Sequence, residues 1–278
     1  MDIDPLADTA PPRHAVESDE EEDEYNPLRS SSSELNQVTE VKILGELPRG
    51  RNLIVATGDA AKYWARGADL GEQSGAIAVN NIQVGLVFNP TWTKATIIIS
   101  EALTRLPAWS MHQYASTILG SLTPPKVALF DAYPVPSYMT EEPVPLQDAP
   151  LRYLATSAVD PTIKSKAEPF APPNLIQSTS ASLLSILSTI YRLTPGTLVL
   201  IPSPHIPHPP PKVLEPSNFL QLSEDRFEWP DNVMNVAQDL LFTALGEELP
   251  PRWVQGKQHG VTNGSRKRSE VGDGGMYI

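Results

Sequence analysis

The sequence predicts an α/β fold, a central mixed β-sheet with helices on both sides. Three observations carry that expectation. First, short runs of apolar and β-branched residues recur along the chain: NLIVAT at 52–57, ATIIIS at 95–100, KVALFDA at 126–132 and TLVLI at 197–201. Runs of this length and uniform character suit strands covered on both faces. Second, helical stripes lie between them, which puts helices on the sheet rather than in a separate bundle. Third, residues 76–79 and 82–88 are strand-like and joined by Asn80-Asn81. Asn tolerates positive φ, so a tight hairpin is expected there and the sheet is mixed rather than purely parallel.

Taken in order, residues 1–37 hold eleven acids and two bases. ESDEEEDE at 17–24 and SSSS at 30–33 leave few hydrophobes to offset ordering entropy, so a disordered acidic leader is expected. The chain's net charge is −12, and removing the leader's −9 leaves a nearly neutral body of about −3. An acidic balance argues against nucleic-acid binding, which needs a basic face. The leader reads as a solubilising tail or as an acidic interaction arm. Residues 38–254 are expected to form one α/β domain, starting near Glu40.

Within that body, Asn52–Thr57 is a buried strand that stops at Gly58, and Ala60–Arg66 is a helical turn or two. Ala95–Ser100 is a further strand. Pro107–Leu119 is a helix with Met111, Tyr114, Ala115 and Ile118 on one stripe. Lys126–Ala132 is a buried strand. Five prolines make 133–150 a loop, Arg152–Ser157 is a strand, and 161–173 is a second proline-rich loop. Asn174–Leu193 is expected to be the longest helix, with Leu183, Leu184, Leu187, Ile190 and Tyr191 on its apolar side. Its serines lower its intrinsic propensity, so packing must hold it. Thr194-Pro195-Gly196 closes it before the strand at 197–201. Residues 202–216 form a third proline-rich loop. Asp231 is a good N-cap for a last helix that buries Val233, Val236, Ala237, Leu240, Leu241, Ala244 and Leu245. Pro250-Pro251 ends it, and 255–278 is expected to be a flexible tail.

Motifs for chemistry are few. There is no cysteine, which excludes disulfides and thiolate sites. No dinucleotide fingerprint, phosphate loop or nucleophile elbow is present. Thr57-Gly58-Asp59 ends a strand at the sheet's carboxyl edge, where such folds bind ligands. With no second acid or base placed beside it, it reads as a turn. His205 and His208 stand three apart in a proline-rich loop with Glu215 the only nearby carboxylate, too few ligands for a metal. His14 and His259 fall in the tails, and His112 reads as a surface or core-edge residue of a helix. No catalytic, cofactor or metal residues are assigned. No secretory leader opens the chain and no apolar run reaches membrane-spanning length, so an intracellular protein without a membrane partner is expected. Arg266-Lys267-Arg268 reads as a solubilising run, a nuclear import signal or a patch that steers the tail towards an acidic surface.

The sharpest feature is the last three residues. After Gly272-Asp273-Gly274-Gly275 the chain ends in Met276, Tyr277 and Ile278. A thioether, a phenol and a branched aliphatic bearing a free carboxylate suit a pocket that has apolar walls, one hydrogen-bond partner and a cation.

The acidic leader at 17–24, the α/β body, Pro173-Asn174-Leu175-Ile176 leading into a leucine- and small-residue-rich helix, the strand 197–201 and the final Met276-Tyr277-Ile278 together resemble the proteasome assembly chaperone 1 family, in particular its fungal members. The match is spread thinly over the folded region and is sharp only at the tail. The resemblance implies a non-enzymatic chaperone with a three-layer α/β sandwich and no cofactor, paired with a second, related chaperone. It implies docking on the α-subunit ring during assembly of the 20S core particle. There Tyr277 packs in a pocket between α-subunits, Met276 fills its apolar wall and the Ile278 carboxylate pairs with a lysine. Occupying those pockets keeps activators off immature particles, in the cytoplasm and also the nucleus. Two other readings stay open: an enzyme of nucleoside-phosphorylase-like fold, and a proteasome activator or adaptor that uses the same tail.

Overall fold

The computed structural model describes residues 39–45, 47–222 and 227–255. Nine strands among them form one mixed sheet: β1 (Val41–Leu44), β2 (Leu53–Thr57), β3 (Gln73–Val79), β4 (Ile82–Phe88), β5 (Thr96–Ser100), β6 (Val127–Pro134), β7 (Arg152–Ala155), β8 (Glu168–Pro169) and β9 (Gly196–Ser203). Their order is β1-β3-β4-β5-β2-β6-β9-β7-β8. The central four, β5, β2, β6 and β9, are parallel. The β1, β3 and β4 strands add antiparallel pairs on one side, and β7 runs antiparallel to β9 on the other. The expected α/β class and mixed sheet are therefore both present. The Asn80-Asn81 turn joins β3 to β4 with both residues at positive φ, 49° and 63°, as a two-residue hairpin turn requires.

Helices α1 (Gly58–Gly67), α2 (Ala108–Leu122), α3 (Pro161–Lys166), α4 (Thr179–Thr189) and α5 (Asp231–Leu245) cover the sheet. The period-2 alternation of a strand decides which core each residue enters. On β2, Ile54 and Ala56 join α1 and α5, whereas Leu53 and Val55 join α2 and α4. Along β6, Ala128 and Phe130 face the first pair of helices, and Val127 and Leu129 the second. The sheet is thus the middle of three layers. Its parallel strands read as unbroken apolar runs because both faces are dry.

After α5 the chain returns to α1. Trp253 is buried, donates its indole N–H to the Trp64 carbonyl at 2.8 Å and stacks on Tyr63. Gly67 makes room for it, since a Cβ there would lie 2.3 Å from the indole ring. The Asp231 expectation shifts by one residue: Pro230 occupies the N-cap and Asp231 opens the first turn. That still places a carboxylate at the positive end of the helix dipole.

Three further expectations need correction. The helix expected over 174–193 covers only 11 residues, and α2 and α5 are longer at 15 each. Asn174 is spent on tying two loops together, because its side-chain amide bonds the Met139 and Ala171 backbones. Ile190 and Leu193 lie beyond the packed face, exposed to solvent. The expected loop at 161–173 contains α3 and β8. Asp160 caps α3 by accepting from the Thr162 N–H, and Pro161 stands at its first position, a start signal legible in Asp-Pro-Thr. Finally, β6 and β9 run into the proline-rich segments, with Tyr133 opposite Pro202 and Pro134 opposite Ser203. By then β2 and β7 have ended, at Phe130 and Leu200 respectively. A proline on that stretch leaves no ladder bond unmade on its open side. The rest of 135–150 carries two single 3-10 turns, Val135–Ser137 and Leu146–Asp148.

Candidate functional site

The helices that follow β2 and β5 lie on opposite faces of the sheet, α1 on one and α2 on the other. Adjacent parallel strands whose connections diverge in this way open a crevice at their carboxyl ends, the usual ligand site of doubly wound sheets. Thr57, Gly58 and Asp59 stand at the end of β2 there. Gly58 has φ +65°, and a side chain at that angle is disfavoured. Along the chain no second acid or base stands beside this turn's Asp59. The fold supplies two, Glu101 just after β5 and Asp131 on β6, one residue past the last β2 pairing.

Strand alternation explains the gathering. Thr57, Ser100 and Asp131 fall in register with Val55, Ile98 and Leu129, so all three face the α2 and α4 side. Glu101 takes a left-handed backbone, φ 56°, which turns its carboxylate inward. Both acids are buried, at 7% and 9% exposure. Their partners are the chain's own. Glu101 accepts from the Leu106 N–H at 2.9 Å and from the Thr179 hydroxyl. Asp131 accepts from its neighbour's backbone, the Ala132 N–H at 2.8 Å, and from the Ser178 hydroxyl at 2.7 Å. The Ser180 hydroxyl donates to the Thr57 oxygen at 3.1 Å, and the Ser100 hydroxyl donates to Tyr114 on α2 at 3.0 Å.

Burial pushes the Glu101 carboxyl up, against the opposing bonds from Thr179 and Leu106. It pushes Asp131 up to about 6, against Ser178 and the Ala132 N–H. Desolvation likewise raises Tyr114. These directions are what a low-dielectric setting does to acids that ionise to anions. The arrangement is a clasp. Three consecutive hydroxyl residues at the start of α4 bind into the crevice, and the two carboxylates meet the positive end of the helix. The space between the strand ends is filled by Ser178, Thr179 and Ser180.

The other candidates lie apart. His112 is exposed on α2. The His208 carbonyl accepts from Arg105, and the His205 ring packs edge-on to Phe227. Among the described residues no group of three or more His, Asp and Glu is placed to hold a metal, and no helix is long and apolar enough to cross a membrane. Met276, Tyr277 and Ile278, together with His14, His259 and Arg266–Arg268, lie outside the described residues. The signal for the clasp was present in the sequence: three of the four parallel runs carry a polar residue at or next to their end, Thr57, Ser100 and Asp131, and Ser178-Thr179-Ser180 opens an apolar stripe.

The sequence matches no family model and no curated protein. Among solved structures, 75% of the chain overlays 87% of Pyrococcus furiosus PbaA, described as an archaeal homolog of proteasome-assembly chaperone, at 11% identity and a TM-score of 0.47. For P. furiosus PbaB, described as an archaeal proteasome activator, the values are 60%, 80%, 10% and 0.43. A PAC2 family protein from Streptomyces avermitilis covers 72% of this chain with 88% of its own, at 10% identity and a TM-score of 0.38. Likeness at this level says nothing of what the chain binds.

Proposed function

We propose that this protein is a proteasome assembly chaperone that binds the α-subunit ring through its C-terminal tail, as a heterodimer with a second, related chaperone. The observation that carries the reading is the hydrophobic-Tyr-X sequence Met276-Tyr277-Ile278. In this reading Tyr277 enters a pocket between adjacent α-subunits, Met276 lies on its apolar wall and the Ile278 carboxylate meets a cation. The body supplies the remaining contact area and the face for the sister chaperone. While the tail is seated, an activator that needs the same pocket is kept out. The protein acts on core particles under assembly in the cytoplasm, and also in the nucleus.

The test compares wild type, Tyr277→Ala and a chain lengthened by one residue after Ile278. The intact mass of the native protein is first used to establish that Ile278 bears the free carboxylate. Binding is measured to isolated α-ring intermediates, with circular dichroism as the fold control. Truncating an aromatic anchor removes about 2 kcal/mol or more, so Tyr277→Ala should weaken docking roughly thirtyfold. The extension moves the carboxylate by up to ~3.6 Å, enough to break a direct ion pair. Equal affinity for all three proteins sinks the tail-docking mechanism. Stimulation of peptide hydrolysis by mature core particles would point instead to an activator.

A further inference from the structure

The proline-rich segment after β6 and the start of β7 enclose a half-open cavity of about 680 Å³. Its walls include Tyr133, Tyr138, Met139, Val144 and Leu146, with Arg152 among them. Arg152 is the first residue of β7 and is only 7% exposed. Its guanidinium lies over the Tyr138 ring at 4.1 Å and over Tyr133 at 5.6 Å. Nη1 donates to the Pro169 carbonyl and pairs with Glu168, both at 3.2 Å. The Glu168 side chain is 59% exposed, so that pair is largely hydrated. Nε is buried with no acceptor. A buried guanidinium N–H without a partner is uncommon, because such donors are normally satisfied.

We infer that this cavity is a binding site for an apolar monocarboxylate, whose carboxylate is received by the Nε edge of Arg152. Volume, charge and rigidity each support this. A cavity of this size is typical of small-molecule sites, which pair apolar walls with a few fixed polar groups. Arg152 is the single cation among the lining residues, and no acid lines the cavity. Because the hydrated Glu168 carboxylate already offsets part of the guanidinium's charge, a singly charged carboxylate suits the site better than a doubly charged phosphate, which would leave more buried charge uncompensated. The planar fork of a guanidinium also fits a carboxylate edge to edge. The walls are held in place before any ligand arrives. Tyr133 donates its hydroxyl to the Pro150 carbonyl at 2.7 Å, Tyr138 accepts from the Ala171 N–H at 3.1 Å, and Tyr133, Tyr138 and Phe170 pack edge to face. The same chemistry arises in a free aryl or alkyl acid and in the carboxyl end of an apolar peptide.

The test is calorimetric titration of the full chain at pH 7.5 with two matched pairs. One is 4-phenylbutyrate against 4-phenylbutyramide, and the other is N-acetyl-Leu-Phe as free acid against its C-terminal amide. At least one acid should saturate a single site and bind about tenfold tighter than its amide. The tighter acid of the two identifies the source. Arg152→Gln should erase the acid–amide difference. Val144→Trp, which fills the cavity from a half-buried position and leaves the cation in place, should abolish binding and leave the circular dichroism spectrum unchanged. Acid and amide binding alike in both pairs would overturn the inference. So would unaltered binding by Val144→Trp, or no saturation by any probe up to ~10 mM.

Discussion

Replacing Asp131 by asparagine should stabilise the protein near neutral pH, and should lose that advantage in acid. Asp131 is buried on β6, and desolvation lifts its carboxyl from 3.8 to about 6. An acid whose folded-state value lies above its unfolded value binds its proton more tightly when folded. Its contribution to stability is therefore fully present below about 3.8, falls as pH rises through the window between 3.8 and 6, and stays low above it. The whole interval is worth about 3 kcal/mol, and about 2 kcal/mol of it falls between pH 4.5 and 7.5. Asparagine keeps the shape without the charge. Its oxygen can accept from the Ala132 N–H, and its amide can donate to the Ser178 hydroxyl, which rotates to accept. Urea denaturation of both proteins at pH 4.5 and 7.5 gives the needed double difference. The variant should gain about 2 kcal/mol relative to wild type on going from the lower to the higher pH. A difference that does not change with pH, or that favours aspartate more strongly at pH 7.5, would refute the claim that Asp131 is held against a desolvation penalty.

Thr179→Val preserves volume but removes the hydroxyl that binds Glu101. It should destabilise by about 1.5–3 kcal/mol, with the loss growing as pH rises and Glu101 ionises, read from the same urea curves. Gly67→Ala places a methyl against the Trp253 indole. An overpacking cost on the order of 1–3 kcal/mol is expected, with a shift in tryptophan emission as that ring is displaced. At the β3–β4 turn, Asn81→Gly should leave the thermal midpoint nearly unchanged. Asn81→Val, a branched residue forced to φ 63°, should lose about 1–2 kcal/mol.

The sheet was readable because its parallel strands need uniform apolar runs. NLIVAT and ATIIIS contain β2 and β5 whole, KVALFDA and TLVLI mark the apolar part of the longer β6 and β9, and Asn80-Asn81 announced its hairpin through tolerance of positive φ. Short edge elements were harder to see. β1 and β8 have four and two residues, too few for a period to register, and α3 hid among prolines although Asp160-Pro161 marks its start. The extent of α4 was misjudged because the leucine stripe continues past the packed face, and only the contacts of Asn174 and Ser178 show where its turn begins. The clasp was missed for a different reason. Glu101, Asp131 and Thr179 lie far apart in sequence, and only the strand order sets them side by side. The rule that identifies that edge as a ligand crevice applies to the backbone, whereas here the side chains of α4 close it.

The two ends of the sheet bear on how the molecule can associate. On a strand of four residues only about two point their backbone groups outward, and a two-residue strand offers fewer still. At one end β1 gives way to Gly45 at φ 100°, which turns the chain out of line. At the other, β8 finishes in Pro169, which has no N–H to give. Among the described residues neither end offers a long free backbone ladder, which disfavours stacking of copies edge to edge into fibres. A companion protein that meets the described body does so through side chains on the helical layers or the proline-rich loops, where fit between surfaces, rather than backbone pairing, selects the partner.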